Sequence, residues 1–375
     1  MKILFTGGGT GGHFYPIIAI ASALKKLIEE EKLVSPQLYF MSVDPYDQEL
    51  LMENGITFLP VQAGKTRRYF SFKNFTDSFK TLSGIIKATW QLYSLYPDVV
   101  FAKGGYASFP ALFAARILGI PVIIHESDSH PGRVTAWAGR FAQRIAVSYP
   151  EALKYFPADK TAVTGNPIRE ELQTPITAGA REFLDLEPEV PIILILGGSQ
   201  GATKINDAVI DLLPQLIEKY QLIHQVGKEN YREAKGRADL ILAGNTHASR
   251  YKMYDYLNTT ALRMAAGAAS LVVSRAGSTI FEIAAWGLPA IIIPIPPEIS
   301  HDQHSNAFTY ARAGAAIIIE EKNLTPSILM SEIGRLMGNG GMREKMKEAA
   351  KTFSRPEAAT TIAQEIIKIA LQHER

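Results

Sequence analysis

A short apolar run that ends in a cluster of glycines occurs twice, once near the start of each half of the chain. Lys2–Thr6 leads into Gly7-Gly8-Gly9-Thr10-Gly11-Gly12-His13, and Ile192–Leu196 leads into Gly197-Gly198-Ser199-Gln200-Gly201. Helix-like sequence follows each. A strand that turns through glycine into a helix sets backbone N–H groups and a helix N-terminus where a phosphate can approach. Two such openings about 190 residues apart in a chain of 375 predict two α/β domains facing each other over a cleft.

The remaining pattern agrees. Strand-like runs fall at Leu38–Val43, Val99–Ala102, Val122–His125, Leu222–Val226, Leu271–Ser274 and Ala290–Pro294. Most are continuously apolar, as parallel strands buried on both faces are. Helix-like segments such as Pro16–Glu31 and Thr279–Trp286 lie between them, so doubly wound parallel sheets are expected. Turn-rich sequence from Gly165-Asn166-Pro167 to Pro191 separates the halves, giving domains 1–166 and 167–354. A last helix, about Pro356–Leu371, follows a break at Ser354-Arg355-Pro356.

Composition narrows the function classes. A hydrophobic content of 47% supplies real cores, and a formal charge of +2 gives no bulk electrostatic case for nucleic acid. The absence of cysteine excludes disulfides and thiolate zinc sites and fits a reducing cytosol. The opening apolar strand is too short for a signal-peptide core, and no apolar run approaches the ~18 residues of a membrane span. A soluble chain, attached at most to a membrane surface, is expected.

Several motifs invite chemistry, each with a plainer alternative. Gly7–Gly12 fits G-x-G-x-x-G, yet Asp44, the acid ending the next strand, lies more than 30 residues on rather than ~20. A tight structural turn is the plainer alternative for the glycines. His13 opens the helix, where it either caps the backbone or meets a ligand. Gly197–Gly201 also fits the nucleophile elbow around Ser199, but a hydrolase leaves the first glycine loop without a role. Glu282, four residues after Ser278, either complements the helix dipole or accepts from ligand hydroxyls. Gln303 and Asn306 share a helix face, and amides suit sugar hydroxyls. His301 and His304 have the same spacing but no clear third metal ligand, so no metal is expected.

Lys103-Gly104-Gly105-Tyr106 and His125-Glu126-Ser127-Asp128 each follow a strand. Ligands of open α/β sheets bind at such carboxyl ends, so His13, Gly104, Gly105, Glu126 and Asp128 are expected on one rim. The stretch 65–96 mixes Lys65, Arg67, Arg68, Lys73, Lys80 and Lys87 with Tyr69, Phe70, Phe72, Phe75, Phe79, Ile85, Ile86 and Trp90, against one acid, Asp77. Such a mixture suits an anionic membrane surface. A core helix with a solvated basic face is the plainer reading.

Taken in order, GGGTGGH (7–13), KGGYAS (103–108), HES (125–127), GNPIR (165–169), GGSQGA (197–202), SRAGS (274–278), EIAAWGLPA (282–290) and DQHSNA (302–307) resemble the MurG family of bacterial cell-wall glycosyltransferases, in glycosyltransferase family 28. The resemblance implies a GT-B fold, two Rossmann-like domains about a cleft, with the last helix (355–375) crossing back to the first. It implies inverting transfer of N-acetylglucosamine (GlcNAc) from UDP-GlcNAc to lipid I, giving lipid II, in peptidoglycan synthesis. Cell shape and division depend on that process. It implies the cytoplasmic face of the inner membrane as location and other cell-wall synthesis proteins as partners.

The resemblance also implies residue roles. Arg169 and Ser199 would meet the nucleotide diphosphate, Ser278 and Thr279 the phosphates, and Glu282 the ribose. Gln303 and Asn306 would hold the GlcNAc hydroxyls, and a backbone group near Tyr256 or Leu257 the uracil. Thr10, Gly11 and Gly12 would meet the sugar or acceptor from the other wall, and Gly104, Gly105 and Tyr106 the acceptor diphosphate. Two departures stand out: Asp128 replaces the family's usual Asn, and the SRAGS loop is one residue shorter before Glu282. For the acceptor proton, His13 is the first candidate base and Glu126 the second. Helix-start amides and Arg169 would stabilise the leaving diphosphate without a metal or other cofactor. Other readings remain open: a different lipid glycosyltransferase, a UDP-GlcNAc 2-epimerase, an NAD-dependent dehydrogenase, or a nucleotide-binding module without catalysis.

Overall fold

A computed structural model of the chain describes residues 1–64, 72–197, 202–298 and 301–373, with the side chains of 72–74, 76, 301 and 302 outside that description. The chain forms two compact units, Met1–Arg169 with Arg355–Arg375, and Glu170–Ser354. Arg169 therefore belongs to the first unit, three residues beyond the expected boundary at 166.

The first unit contains strands β1 (Lys2–Thr6), β2 (Gln37–Ser42), β3 (Ile56–Pro60), β4 (Val99–Ala102), β5 (Val122–Glu126), β6 (Arg144–Val147) and β7 (Thr161–Val163). All pairings are parallel, in the order β3-β2-β1-β4-β5-β6-β7. Both faces are covered. Ile3 and Phe5 join the core on one side, and Leu4 joins the core on the other. The closing helix, Ala358–His373, buries Ile362, Ile366 and Ile369 in the same layer as Ile17, Ile20 and Leu24 of the Gly11–Glu30 helix.

The second unit contains β8 (Ile192–Leu196), β9 (Gln221–Gln225), β10 (Tyr251–Tyr254), β11 (Leu271–Ser274), β12 (Ala290–Ile292) and β13 (Ala316–Ile318). Its order is β10-β9-β8-β11-β12-β13, again all parallel. Ile193 and Ile195 face one core, while Ile192, Leu194 and Leu196 face the other.

The strands missed by sequence reading are chiefly the sheet edges, β3, β7, β10 and β13. An edge strand packs fewer neighbours and stays partly wet, so it lacks the continuous apolar run that marks a central strand. The Gly11–Glu30 helix starts five residues before the expected Pro16. Proline fits a helix's first turn, which makes Pro16 look like a start. The chain instead enters the helix within the glycine cluster, where the Thr10 carbonyl accepts from the N–H groups of His13 (3.1 Å) and Phe14 (3.3 Å).

The basic-aromatic stretch forms the helix Phe72–Leu95, and residues 65–71 lie outside the described residues. It is not a core helix with a basic face. Ala88 and Leu92 are buried, whereas Phe75, Phe79, Leu82, Ile86, Trp90 and Tyr93 form a stripe 55 to 73% exposed. Among the described residues no helix is long and apolar enough to cross a membrane.

Candidate active site

In both sheets the strand order reverses between two neighbours, β1 and β4 in the first unit, β8 and β11 in the second. Successive crossovers leave in opposite directions there and open a crevice at the carboxyl ends of the strands. The glycine clusters after β1 and β4 flank the first crevice. The loop after β11 borders the second.

In the first unit the two loops interlock. Gly9 has φ +90°, Gly104 +88° and Gly105 +82°, conformations that glycine adopts without a Cβ penalty. A Cβ on Gly105 would lie 3.0 Å from the Gly8 carbonyl oxygen and 3.4 Å from the His13 ring. One on Gly9 would lie 3.3 Å from the Tyr106 ring. Glycine therefore lets the imidazole and the Gly104–Tyr106 turn pack directly on the first loop. Of the residues expected on one rim, His13 lies against Gly105, and Asp128 is close enough to act on the His13 charge.

The His13 hydrogen bonds define its tautomer. Nδ1 lies 3.1 Å from the Gly8 carbonyl oxygen, with the Thr10 hydroxyl at 3.4 Å. A carbonyl can only accept, so this network assigns the proton to Nδ1 and leaves Nε2 a lone pair. Burial lowers the imidazole pKa and the Lys103 ammonium lowers it further, while Asp128 and the Gly8 hydrogen bond oppose them.

Glu126 sits differently. Its Oε1 accepts the Asp128 N–H and its Oε2 accepts the Gly132 N–H, both at 3.0 Å. Both carboxylate oxygens thus tie down the loop after β5. Burial pushes this carboxyl up to about 7, Asp128 adds to the rise, and the two amides and Lys103 pull it down. Replacing Glu126 by Gln keeps one acceptor but turns an NH2 toward the other amide. We expect a stability loss of about 1–3 kcal/mol in urea unfolding, with turnover reduced by less than about tenfold. A stable but inactive Glu126→Gln protein would instead make Glu126 the base.

Sequence reading missed the buried centre of this rim. Lys103 is fully buried and donates to Asn166 Oδ1 at 3.1 Å. Burial pulls its pKa down to about 7 against the attraction of Glu126 and Asp128. His125 is also buried, and its Nε2 donates to the Gly165 carbonyl at 2.9 Å. These bonds hold the start of GNPIR to β4 and β5. At the end of that segment Arg169 lies 4.6 Å over the Tyr15 ring. The lysine of KGGY was visible in the sequence, but its burial was not.

In the second unit, residues 198–201, including Ser199, lie outside the described residues. Ser278 precedes the Thr279–Trp286 helix without a side-chain capping bond, and Glu282 lies in its first turn. Arg275 pairs with Glu321 at 2.5 Å and donates to the Ile293 carbonyl, fixing the exit of β12. Gln303 and Asn306 lie on the helix His301–Arg312. The Gln303 Oε1 is buried with no partner among the described residues, a costly arrangement unless a ligand donates to it. His304 lies 3.5 Å from Glu320. The Leu257 N–H is given to Gln225 Oε1 at 3.1 Å.

Two parallel sheets, each with a switch point, one bordered by interlocked glycine loops and the His13 imidazole, define a pair of Rossmann-like units of the kind glycosyltransferases use. Family models agree: the glycosyltransferase family 28 N-terminal domain matches residues 3–147 and the C-terminal domain residues 192–362. The chain belongs to glycosyltransferase family 28.

Its curated relatives include the UDP-N-acetylglucosamine--N-acetylmuramyl-(pentapeptide) pyrophosphoryl-undecaprenol N-acetylglucosamine transferase of Treponema denticola. The two are 35% identical over 97% of this chain and 94% of the relative. The Clostridium perfringens enzyme of that name is 36% identical, with 93% of each covered. Among solved structures, Acinetobacter baumannii MurG matches with a TM-score of 0.73 and 27% identity, over 98% of this chain and 99% of that one. UDP-GlcNAc 2-epimerase from Neisseria meningitidis, at 16% identity and a TM-score of 0.70 over 98% of this chain and all of that one (100%), shares the fold alone.

Proposed function

We propose that this chain transfers GlcNAc from UDP-GlcNAc to lipid I, forming lipid II in peptidoglycan synthesis. Near-full-length likeness to transferases bearing that name supports the reaction. The single observation carrying the mechanism is the His13 tautomer, with Nδ1 given to Gly8 and Nε2 left as a base. Nε2 takes the proton of the acceptor hydroxyl as its oxygen forms a bond to the anomeric carbon. The carbon–oxygen bond to UDP breaks on the opposite face, so configuration inverts. Arg169 and the helix start at Ser278–Thr279 receive the developing diphosphate charge. Glu282 holds the ribose, and Gln303 and Asn306 hold the GlcNAc hydroxyls. Gly104, Gly105 and Tyr106 face the acceptor diphosphate.

The direct test is incubation with labelled UDP-GlcNAc and lipid I, scored for labelled lipid II. Epimerised sugar nucleotide without transfer would overturn the reading. On this mechanism charge stabilisation comes from the protein, so excess EDTA should leave turnover unchanged. Loss restored by magnesium would assign that work to a cation.

The pH dependence follows from His13. The base works when unprotonated, and its pKa lies below the ordinary 6.5. The acid limb of kcat/KM should therefore fall below that value, with activity lost as pH drops through it. Lys103→Met removes one lowering influence and should move the limb upward, as a pH–rate series would show.

The exposed stripe of the Phe72–Leu95 helix supports attachment to an anionic membrane surface. Lys80 and Lys87 are exposed on the same helix. On this reading the reaction runs at a membrane's cytoplasmic face, where a lipid-linked acceptor would reside.

A further inference from the structure

Beside the first glycine loop stands an aromatic residue that neither the fold nor the mechanism above explains. Tyr46 follows β2 in the turn Asp44-Pro45-Tyr46-Asp47. Its φ is +58°, in the left-handed region that a bulky residue rarely occupies. Of the other four described non-glycine residues with positive φ, Lys32, Tyr96 and Asp185 lie just past helix ends, where this conformation is a common terminator. Tyr46 instead precedes a helix, Gln48–Glu53.

The strain is held from both sides. Asp44 Oδ1 accepts the Tyr46 N–H at 3.1 Å, and the Asp47 N–H donates to the Pro45 carbonyl at 2.7 Å. Asp47 also caps the following helix by accepting the Leu50 N–H at 3.0 Å. The result projects the Tyr46 ring over the glycine loop. A Cβ on Gly11 would lie 2.7 Å from the Tyr46 hydroxyl and 2.9 Å from the Tyr15 ring. Tyr46 packs on Phe14 at 5.1 Å and edge-on to Tyr15 at 5.8 Å, and remains 37% exposed. Its hydroxyl makes no hydrogen bond among the described residues. Strain of this kind persists where surrounding structure enforces it, typically at ligand sites.

We propose that Tyr46 is an acceptor-binding residue whose ring stacks on the apolar face of the hexosamine ring that presents its hydroxyl to His13. This rests on the transfer reaction proposed above. The chemistry fits: a sugar's C–H face prefers an aromatic surface, and the free phenol can bond a ring substituent. Gly11 and His13 both lie in the first turn of the Gly11–Glu30 helix, so on this proposal a sugar delivering its hydroxyl to the imidazole spans that helix start to reach the aromatic pair. The Tyr15 ring already carries Arg169, which leaves Tyr46 as the open surface.

The test compares Tyr46→Phe, Tyr46→Asn and Tyr46→Gly with the unaltered chain. Asparagine and glycine both accept positive φ, so neither adds backbone strain. The probe is a short-chain prenyl-diphospho-N-acetylmuramoyl-pentapeptide, with affinity read by calorimetry and transfer by lipid-product formation. Asn and Gly should weaken acceptor affinity by about 3- to 10-fold, as loss of one aromatic contact does, with KM for UDP-GlcNAc unchanged. Phe should stay within about twofold, and the Gly variant should unfold at or near the unaltered temperature. Unchanged acceptor affinity in Asn and Gly overturns the inference, as does failure of the unaltered chain to bind the probe. If the unaltered chain binds the probe but transfers no GlcNAc, the reaction assignment fails, while the affinity comparison still decides Tyr46.

Discussion

His13→Ala is expected to lower turnover by about 10²- to 10⁴-fold while UDP-GlcNAc affinity stays within about twofold. The expectation rests on local geometry. The Gly8 carbonyl fixes the proton on Nδ1, as a carboxylate does in other base-orienting arrangements, and the Gly105 turn holds the ring without a side chain in the way. Burial and Lys103 keep the imidazole neutral near pH 7, so the base needs no prior deprotonation. In the proposed mechanism donor binding falls to Arg169, Glu282, Gln303 and Asn306 and not to His13. Calorimetry with UDP-GlcNAc, run beside the transfer assay, separates the two effects. Turnover within about tenfold of the unaltered chain would send the base elsewhere.

Replacing Phe75, Phe79 and Trp90 together by Ser should weaken binding to phosphatidylglycerol vesicles by at least about 100-fold. Each of these side chains is worth about 1.5–3 kcal/mol when fully buried, so partial insertion of three exceeds the ~2.7 kcal/mol that factor needs. All three are exposed and lie outside the core, so unfolding and turnover on a detergent-solubilised acceptor should change little. Added salt should weaken the unaltered chain's binding through Lys80 and Lys87 and leave the apolar share in place. Vesicle sedimentation reads both effects. Undiminished binding by the triple variant would sink the membrane assignment.

Much of the architecture was legible because of what buries it. Ile192–Leu196, Val99–Ala102 and Leu271–Ser274 are central strands with helices on both faces, so every position but Ser274 is apolar and the run stands out. Tyr251–Tyr254 and Ala316–Ile318 run along sheet edges, where partial exposure blurs that signature. The glycine loops were legible because positive φ and close backbone approach leave few alternatives to glycine. The Phe72–Leu95 helix was ambiguous in sequence. An apolar stripe at helical spacing reads the same whether it faces a core or water, and only packing showed Phe79 and Trp90 outside.

The sequence by itself determined two parallel α/β units, the loops that carry His13 and Gly104–Gly105, and the ordered motifs that point to a sugar-nucleotide transferase. Those features are local, since glycine spacing, strand runs and helix starts act within a few residues of themselves. Tertiary structure decided which nitrogen of His13 is free, that Glu126 spends both oxygens on its own loop, and that Lys103 and Asn166 meet in the interior. It also decided that Tyr46 stands over Gly11. Each of these depends on residues far apart in the chain being brought within hydrogen-bond or van der Waals reach, and no local pattern encodes that distance.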